Sequence, residues 1–194
     1  MDGNVSTEAL GQMFGAISHE GTLALEQLAL PSKANVLDVG TGAGMFAIFL
    51  ALEGYSVLTG EPDTDTTHYA GKDWAGNARL VGVEDKIRFE VFDASEMPYD
   101  SGSFDAVFFF GVLHHVDEAK RAAVMREALR VCKADGAVVL FEPTAETLQR
   151  VWTEDPGHPQ AADPSAYLTD SAPRASKLRG EMMDIYFYRP TVEE

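Results

Sequence analysis

VLDVGTGAG, residues 36–44, is the stretch on which the fold turns. An apolar run carrying one acid, Asp38, ends in glycines at 40, 42 and 44, and an apolar segment, MFAIFLALE, follows at once. That order predicts a strand, a tight turn and a helix. The glycines allow backbone conformations that strain other residues, and the first N–H groups of the helix face the turn. Alone, such a loop indicates a nucleotide-like ligand. A dinucleotide fingerprint wants its third small residue at position 45, which is Met45, and no GxxxxGK[ST] phosphate loop is present. Both departures point to a ligand without a pyrophosphate.

Outward from this unit, short apolar runs alternate with helical stretches, the pattern of a doubly wound, mainly parallel α/β sheet with helices on both faces. Strands are expected at 35–39, 56–59, 86–92, 104–110 and 137–141, with helices from Met45 to about Gly54, over 64–80 and over 117–133. FDAVFFF, at 104–110, is continuously apolar, as a central strand covered on both faces should be. Residues 6–29 read as helical, with Ser6 or Thr7 as cap and Gly15 and Gly21 as break points. Beyond Pro143 a helix is expected over 144–152, then a long Pro-rich loop over 155–173. MDIYFY, at 183–188, reads as an antiparallel C-terminal edge strand. A partner for it is legible only as a weak candidate at Ser165 to Thr169.

The chain has 194 residues, enough for one domain that buries roughly 70% of its unfolded surface. The division expected is a helical cap at 1–34, a cofactor-binding core at 35–143 and a C-terminal segment at 144–194 holding a lid loop and the edge strand. No apolar run approaches the roughly 18 residues that span a bilayer, so no membrane partner is expected. MDGNVSTEALGQMF lacks the basic start of a secretory signal, which makes the cytoplasm the expected location. Cys132, the single cysteine, excludes an internal disulfide and any thiolate metal cluster. A formal charge of -16 repels phosphate backbones, so nucleic acid is not an expected partner. Oligomeric state is not legible.

DVGTGAG, Asp38 to Gly44, matches the DxGxGxG motif in full, and in this the chain resembles the class I S-adenosylmethionine-dependent methyltransferases. GVLHHV, at 111–116, resembles a stretch common in members that act on small molecules, quinones among them. The resemblance covers roughly residues 36–142. It implies a Rossmann-like fold and S-adenosylmethionine as cofactor. Asp38 is then expected near the cofactor's ammonium, and Gly40, Thr41, Gly42 and Gly44 against its methionine part. Glu61, 21 residues after Gly40 and followed by Pro62, would be an ordinary surface acid by itself. At this spacing it is expected to accept from the ribose hydroxyls. Asp93 is expected by the adenine amino group with the Ala94 backbone against the ring, although an Asp after a strand also serves to cap a turn. Phe110, Gly111 and Val112 are expected along the cofactor, with His115 near the substrate mouth.

In-line transfer of a sulfonium methyl needs chiefly an acceptor held about 3 Å away in a dry pocket, so a general base is optional. Where one is needed, His115 is the first candidate and Glu142 the second. His114 reads as a packing or turn residue. Adjacent histidines seldom serve one metal, and no metal site is expected. Tyr69, Trp74, Trp152 and Tyr167 are candidates to line a pocket, although each is also an ordinary packing residue. The function expected is methyl transfer to a small-molecule acceptor. A non-catalytic S-adenosylmethionine-binding scaffold and a nicotinamide-dependent reductase stay open as alternatives.

Overall fold

Residues 3–168 and 174–190 are described in the computed structural model of the chain. The opening stretch forms β1 (Asn35–Val39), whose last four residues are buried. A turn through three left-handed glycines leads into α3 (Met45–Leu52). Two helices precede β1: α1 (Gly3–Leu10) and α2 (Gln12–Leu25). The chain continues as β2 (Ser56–Glu61), α4 (Trp74–Leu80), β3 (Ile87–Val91), β4 (Phe104–Phe110), α5 (Glu118–Val131), β5 (Cys132–Pro143), α6 (Ala145–Glu154), β6 (Arg174–Arg179) and β7 (Met183–Arg189).

The strands form one seven-stranded sheet in the order β3-β2-β1-β4-β5-β7-β6. The first five run parallel, and β7 closes antiparallel on β5 with β6 outside it. From β1 the chain winds outward through β2 and β3, then returns to place β4 on the other side of β1. The reversal opens a crevice at the carboxyl ends of β1 and β4, where open sheets bind ligands. Side-chain alternation along β1 feeds two cores. Val36 joins α3 and the Phe46, Phe108 and Phe141 rings on one face, and Leu37 joins Val124, Met125 and Ala128 of α5 on the other. Phe46 stacks on Phe110 with ring centres 4.9 Å apart, so the end of β4 is braced from below. Cys132 is buried at the junction of α5 and β5, and burial above all pushes its thiol up to about 12, which keeps it a neutral core group.

Four expectations need correction. Helix formation begins at Gly3, upstream of Ser6 and Thr7, and the break falls at Gly11 (φ 89°), not at Gly15 or Gly21. Gly21 lies inside α2, where a side chain would overlap the Phe49 ring, so this glycine is a contact between helices. The helix expected over 64–80 is confined to Trp74–Leu80. Upstream of it, the Asp65 carboxylate takes the Thr67 N–H (2.8 Å) and Glu61 takes the Gly71 N–H (2.7 Å), local bonds that compete with a helix. The partner of the edge strand is β6, not Ser165–Thr169: Pro164–Tyr167 forms a short 3-10 turn, and residues 169–173 lie outside the described residues. The β6–β7 turn is held from afar by buried Glu20, which accepts the Met182 N–H at 2.6 Å. Among the described residues no helix is long and apolar enough to cross a membrane.

Candidate functional site

Gly40, Gly42 and Gly44 adopt φ of 87°, 48° and 78°. At Gly40 a Cβ would also come within 2.5 Å of Val112 Cγ2, so glycine is required there by backbone and by space. Asp38 lies under this turn, 1% exposed. Thr59 Oγ1 donates to its Oδ2 (2.8 Å), and Thr41 Oγ1 lies 2.9 Å from Thr59 Oγ1. Since the Thr59 proton goes to Asp38, Thr41 is the donor to Thr59. Asp38 Oδ1 has no partner among the described residues. Burial first, and the charge of Glu61 in addition, raise its pKa to about 7 against the opposing Thr59 hydrogen bond. A buried carboxyl with one oxygen unanswered is built to receive a cationic donor.

Glu61 ends β2 and faces the same turn. Its Oε2 accepts from Gly42 N at 2.9 Å and its Oε1 from Gly71 N at 2.7 Å. The carboxylate thereby ties the irregular segment 62–73 across the glycine turn, and the Tyr69 carbonyl would lie 3.3 Å from a Cβ at position 42. Each carboxylate oxygen keeps a second lone pair, enough for a diol. Pro62, half-buried, follows directly.

Asp93 stands at the next strand end. Its Oδ1 accepts from the backbone N–H (2.8 Å) and hydroxyl (2.7 Å) of Ser95, and its Oδ2 from Lys120 (2.8 Å). The Lys120 hydrogen bond, then the Ser95 pair, lower its pKa to about 2, so it is a carboxylate at any working pH. It therefore caps the turn, and an incoming amino group would share it with Lys120. Ala94 follows, half-buried against the α5-side core. The loop beyond is anchored by Arg130, which donates to the Tyr99 (2.7 Å) and Met97 (3.0 Å) carbonyls. After β4, Gly111 (φ 67°) donates to the Phe141 carbonyl at 2.9 Å and turns the chain so that Val112 lies over Gly40.

The turn that follows carries His114 and His115. His114 is buried, with Nδ1 2.8 Å from Glu142 Oε2, and the same oxygen accepts from Ala162 N at 2.9 Å. Glu142 is 1% exposed and lies behind His114. His115 has an exposed edge, and its ring lies 5.0 Å from Tyr69 and 4.9 Å from His158. Packing around the ring, then His114 and His158, push its pKa down to about 4. His158 comes from the Pro-rich loop, with Nδ1 3.2 Å from the Tyr69 hydroxyl. Its carbonyl accepts from Trp152 Nε1 at 2.8 Å. Of the aromatic candidates, Tyr69 faces the histidines and Trp152 anchors one of them, whereas Trp74 packs on Phe89 and Tyr167 accepts from Arg121. Thr59, Lys120 and His158 escaped the sequence reading. Only Thr59 left a trace, a hydroxyl in β2 at the position paired with Asp38.

Several comparisons bear on this arrangement. The 27-O-demethylrifamycin SV methyltransferase of Amycolatopsis mediterranei (strain S699) is 32% identical over 150 residues, 69% of this chain and 53% of that protein. The ubiquinone/menaquinone biosynthesis C-methyltransferase UbiE of Citrifermentans bemidjiense is 33% identical over 128 residues, 64% of this chain and 52% of that one. The chain thus spans about half the length of these curated relatives. The crystal structure of the PH0226 protein from Pyrococcus horikoshii OT3 superposes with a TM-score of 0.69 at 18% identity, over 96% of this chain and 95% of that one, a likeness of fold alone. The family described as "Methyltransferase domain" matches residues 37–140, more than half of the sequence and the whole span from the glycine turn to β5. The chain belongs to the methyltransferase domain family.

Proposed function

We propose that this chain transfers a methyl group from S-adenosylmethionine to a small-molecule acceptor. The observation that carries the reading is Asp38, a buried carboxyl with an unanswered oxygen beneath three left-handed glycines. An α-ammonium satisfies that oxygen, and the glycine backbone admits the chain attached to it. Glu61 supplies acceptors for a ribose diol, and Asp93 one for an adenine amino group, all on one sheet edge. S-adenosylmethionine brings an already activated methyl on a sulfonium, so the protein's task is to align an acceptor and keep water out.

On this reading His115, with its exposed edge, touches the acceptor. With its pKa near 4 it is neutral throughout the physiological range, which suits it to accept a hydrogen bond or to ligate more than to hold a proton. Glu142 acts through His114 as a positioning residue. The formal charge of -16 and relatives named for a rifamycin and for quinones support a small-molecule acceptor over a phosphate polymer.

Calorimetry with S-adenosylmethionine, its demethylated product and a nicotinamide dinucleotide tests the reading, followed by a screen for demethylated product against pooled metabolites. Binding of the first two and not the third is expected, and binding of the dinucleotide alone would sink the proposal. Glu61→Ala is expected to weaken donor binding by on the order of 1 to 3 kcal/mol, from the lost charged acceptor. An unchanged affinity would place the ribose elsewhere.

A further inference from the structure

We propose that His114, His115 and His158 form a site for one divalent transition-metal ion of the zinc class on the acceptor side of the cleft. One ring nitrogen from each lies within 4.8 Å of the other two. A tetrahedral ion holds imidazole nitrogens about 2.0 to 2.1 Å from itself and about 3.3 Å from one another. Closing that difference takes side-chain rotation of His115 and His158, neither of which is fully buried.

What lies behind the rings separates this cluster from plain aromatic packing. His114 turns Nδ1 to the buried Glu142 carboxylate, which leaves Nε2 as its coordinating atom. His158 turns Nδ1 toward the Tyr69 hydroxyl and, at 3.6 Å, Asp155. A carboxylate behind the far nitrogen of a ligating histidine sets its tautomer and raises its basicity. Glu142 has no lysine or arginine on it among the described residues, and its Oε1 has no partner. An ion beyond His114 answers that buried charge.

Three protein ligands leave a fourth position open, the arrangement of a catalytic ion and not a structural one. Tyr69 joins the trio to the cofactor turn, since its ring touches His115 and its carbonyl lies by Gly42. Resting on the reading above, the fourth position would take the acceptor's hydroxyl or thiol. Coordination would lower that group's pKa and its proton would leave to solvent; the anion's lone pair then forms the bond to the methyl carbon as the sulfonium carbon–sulfur bond breaks, its electron pair staying on sulfur in the neutral thioether that departs.

The test uses the full chain, tag-free and chelator-treated, titrated with Zn²⁺ by calorimetry and with Co²⁺ by visible absorption, without any methyl donor. One equivalent of Zn²⁺ and the intense bands of tetrahedral Co²⁺ are expected. His158→Asn and His115→Asn should each weaken binding at least 10-fold, and Glu142→Gln by roughly 10- to 100-fold. His115 has an exposed edge, so its variant keeps the fold and serves if the buried replacements do not. No stoichiometric binding, or binding indifferent to His115→Asn, overturns the proposal. Donor affinity measured on the same metal-free sample separates this failure from failure of the methyl-transfer reading.

Discussion

Asp38→Asn is expected to make the ligand-free protein more stable and the donor complex much weaker. The carboxyl is buried, and its pKa of about 7 means that folding opposes its charge. Asparagine removes the charge and can still accept from Thr59, so unfolding at pH 8 should cost roughly 1 to 3 kcal/mol more than in the parent. The same change leaves the donor's ammonium facing a neutral amide, a loss of about 3 to 5 kcal/mol, as when one partner of a buried ion pair is removed. Between about pH 4 and 7 folded Asp38 holds a proton that the unfolded chain has lost, so parental stability falls as pH rises through that window. Donor affinity should move the other way, rising up to tenfold per unit toward pH 7 and levelling above it. The asparagine variant should show neither slope. Calorimetry across pH 5 to 8, with urea unfolding in the same buffers, checks both, and an affinity flat below pH 7 would remove Asp38 from the site.

Gly60→Ala is expected to cost at least about 3 kcal/mol of stability. Gly60 sits near the end of β2 opposite Glu90, and a methyl there would overlap both the Glu90 carbonyl and the Phe92 ring. The carbonyl is backbone inside a parallel ladder, so relief requires β2 and β3 to separate next to Glu61. Urea denaturation measures the loss directly. A variant within 1 kcal/mol of the parent would mean that the ladder gives far more easily than its geometry implies.

How far the sequence discloses this molecule differs along the chain. β1, β4 and the glycine turn were legible because buried parallel strands are continuously apolar and because glycine spacing is dictated by backbone geometry. β6 was not, since RASKLR is an edge strand with no apolar face to announce it. The helix expected over 64–80 forms only from Trp74, because over 64–73 the Asp65 and Glu61 side chains override helix preference through bonds to the backbone. Gly21 was misjudged because a glycine that makes room for Phe49 looks, in sequence, like one that ends a helix. Asp38 and Glu61 were singled out by motif and spacing, and the fold brings both to the glycine turn. His158 lies in a loop without periodicity, and only the tertiary path from α6 back across Glu142 brings it to His114.

The two backbone bonds that Glu61 makes, to Gly42 and to Gly71, have a consequence for ligand affinity. The amides of Gly42 and Gly71 already draw on the charge of the carboxylate that a ribose would use, so a diol bound through the remaining lone pairs shares that charge with them. On the proposed ribose role of Glu61, affinity for the donor would depend on how strongly these amides hold the side chain, and it could be retuned from the 62–73 segment without altering any group that touches the ligand. Sequence drift in that segment becomes a dial on the donor concentration at which the protein fills.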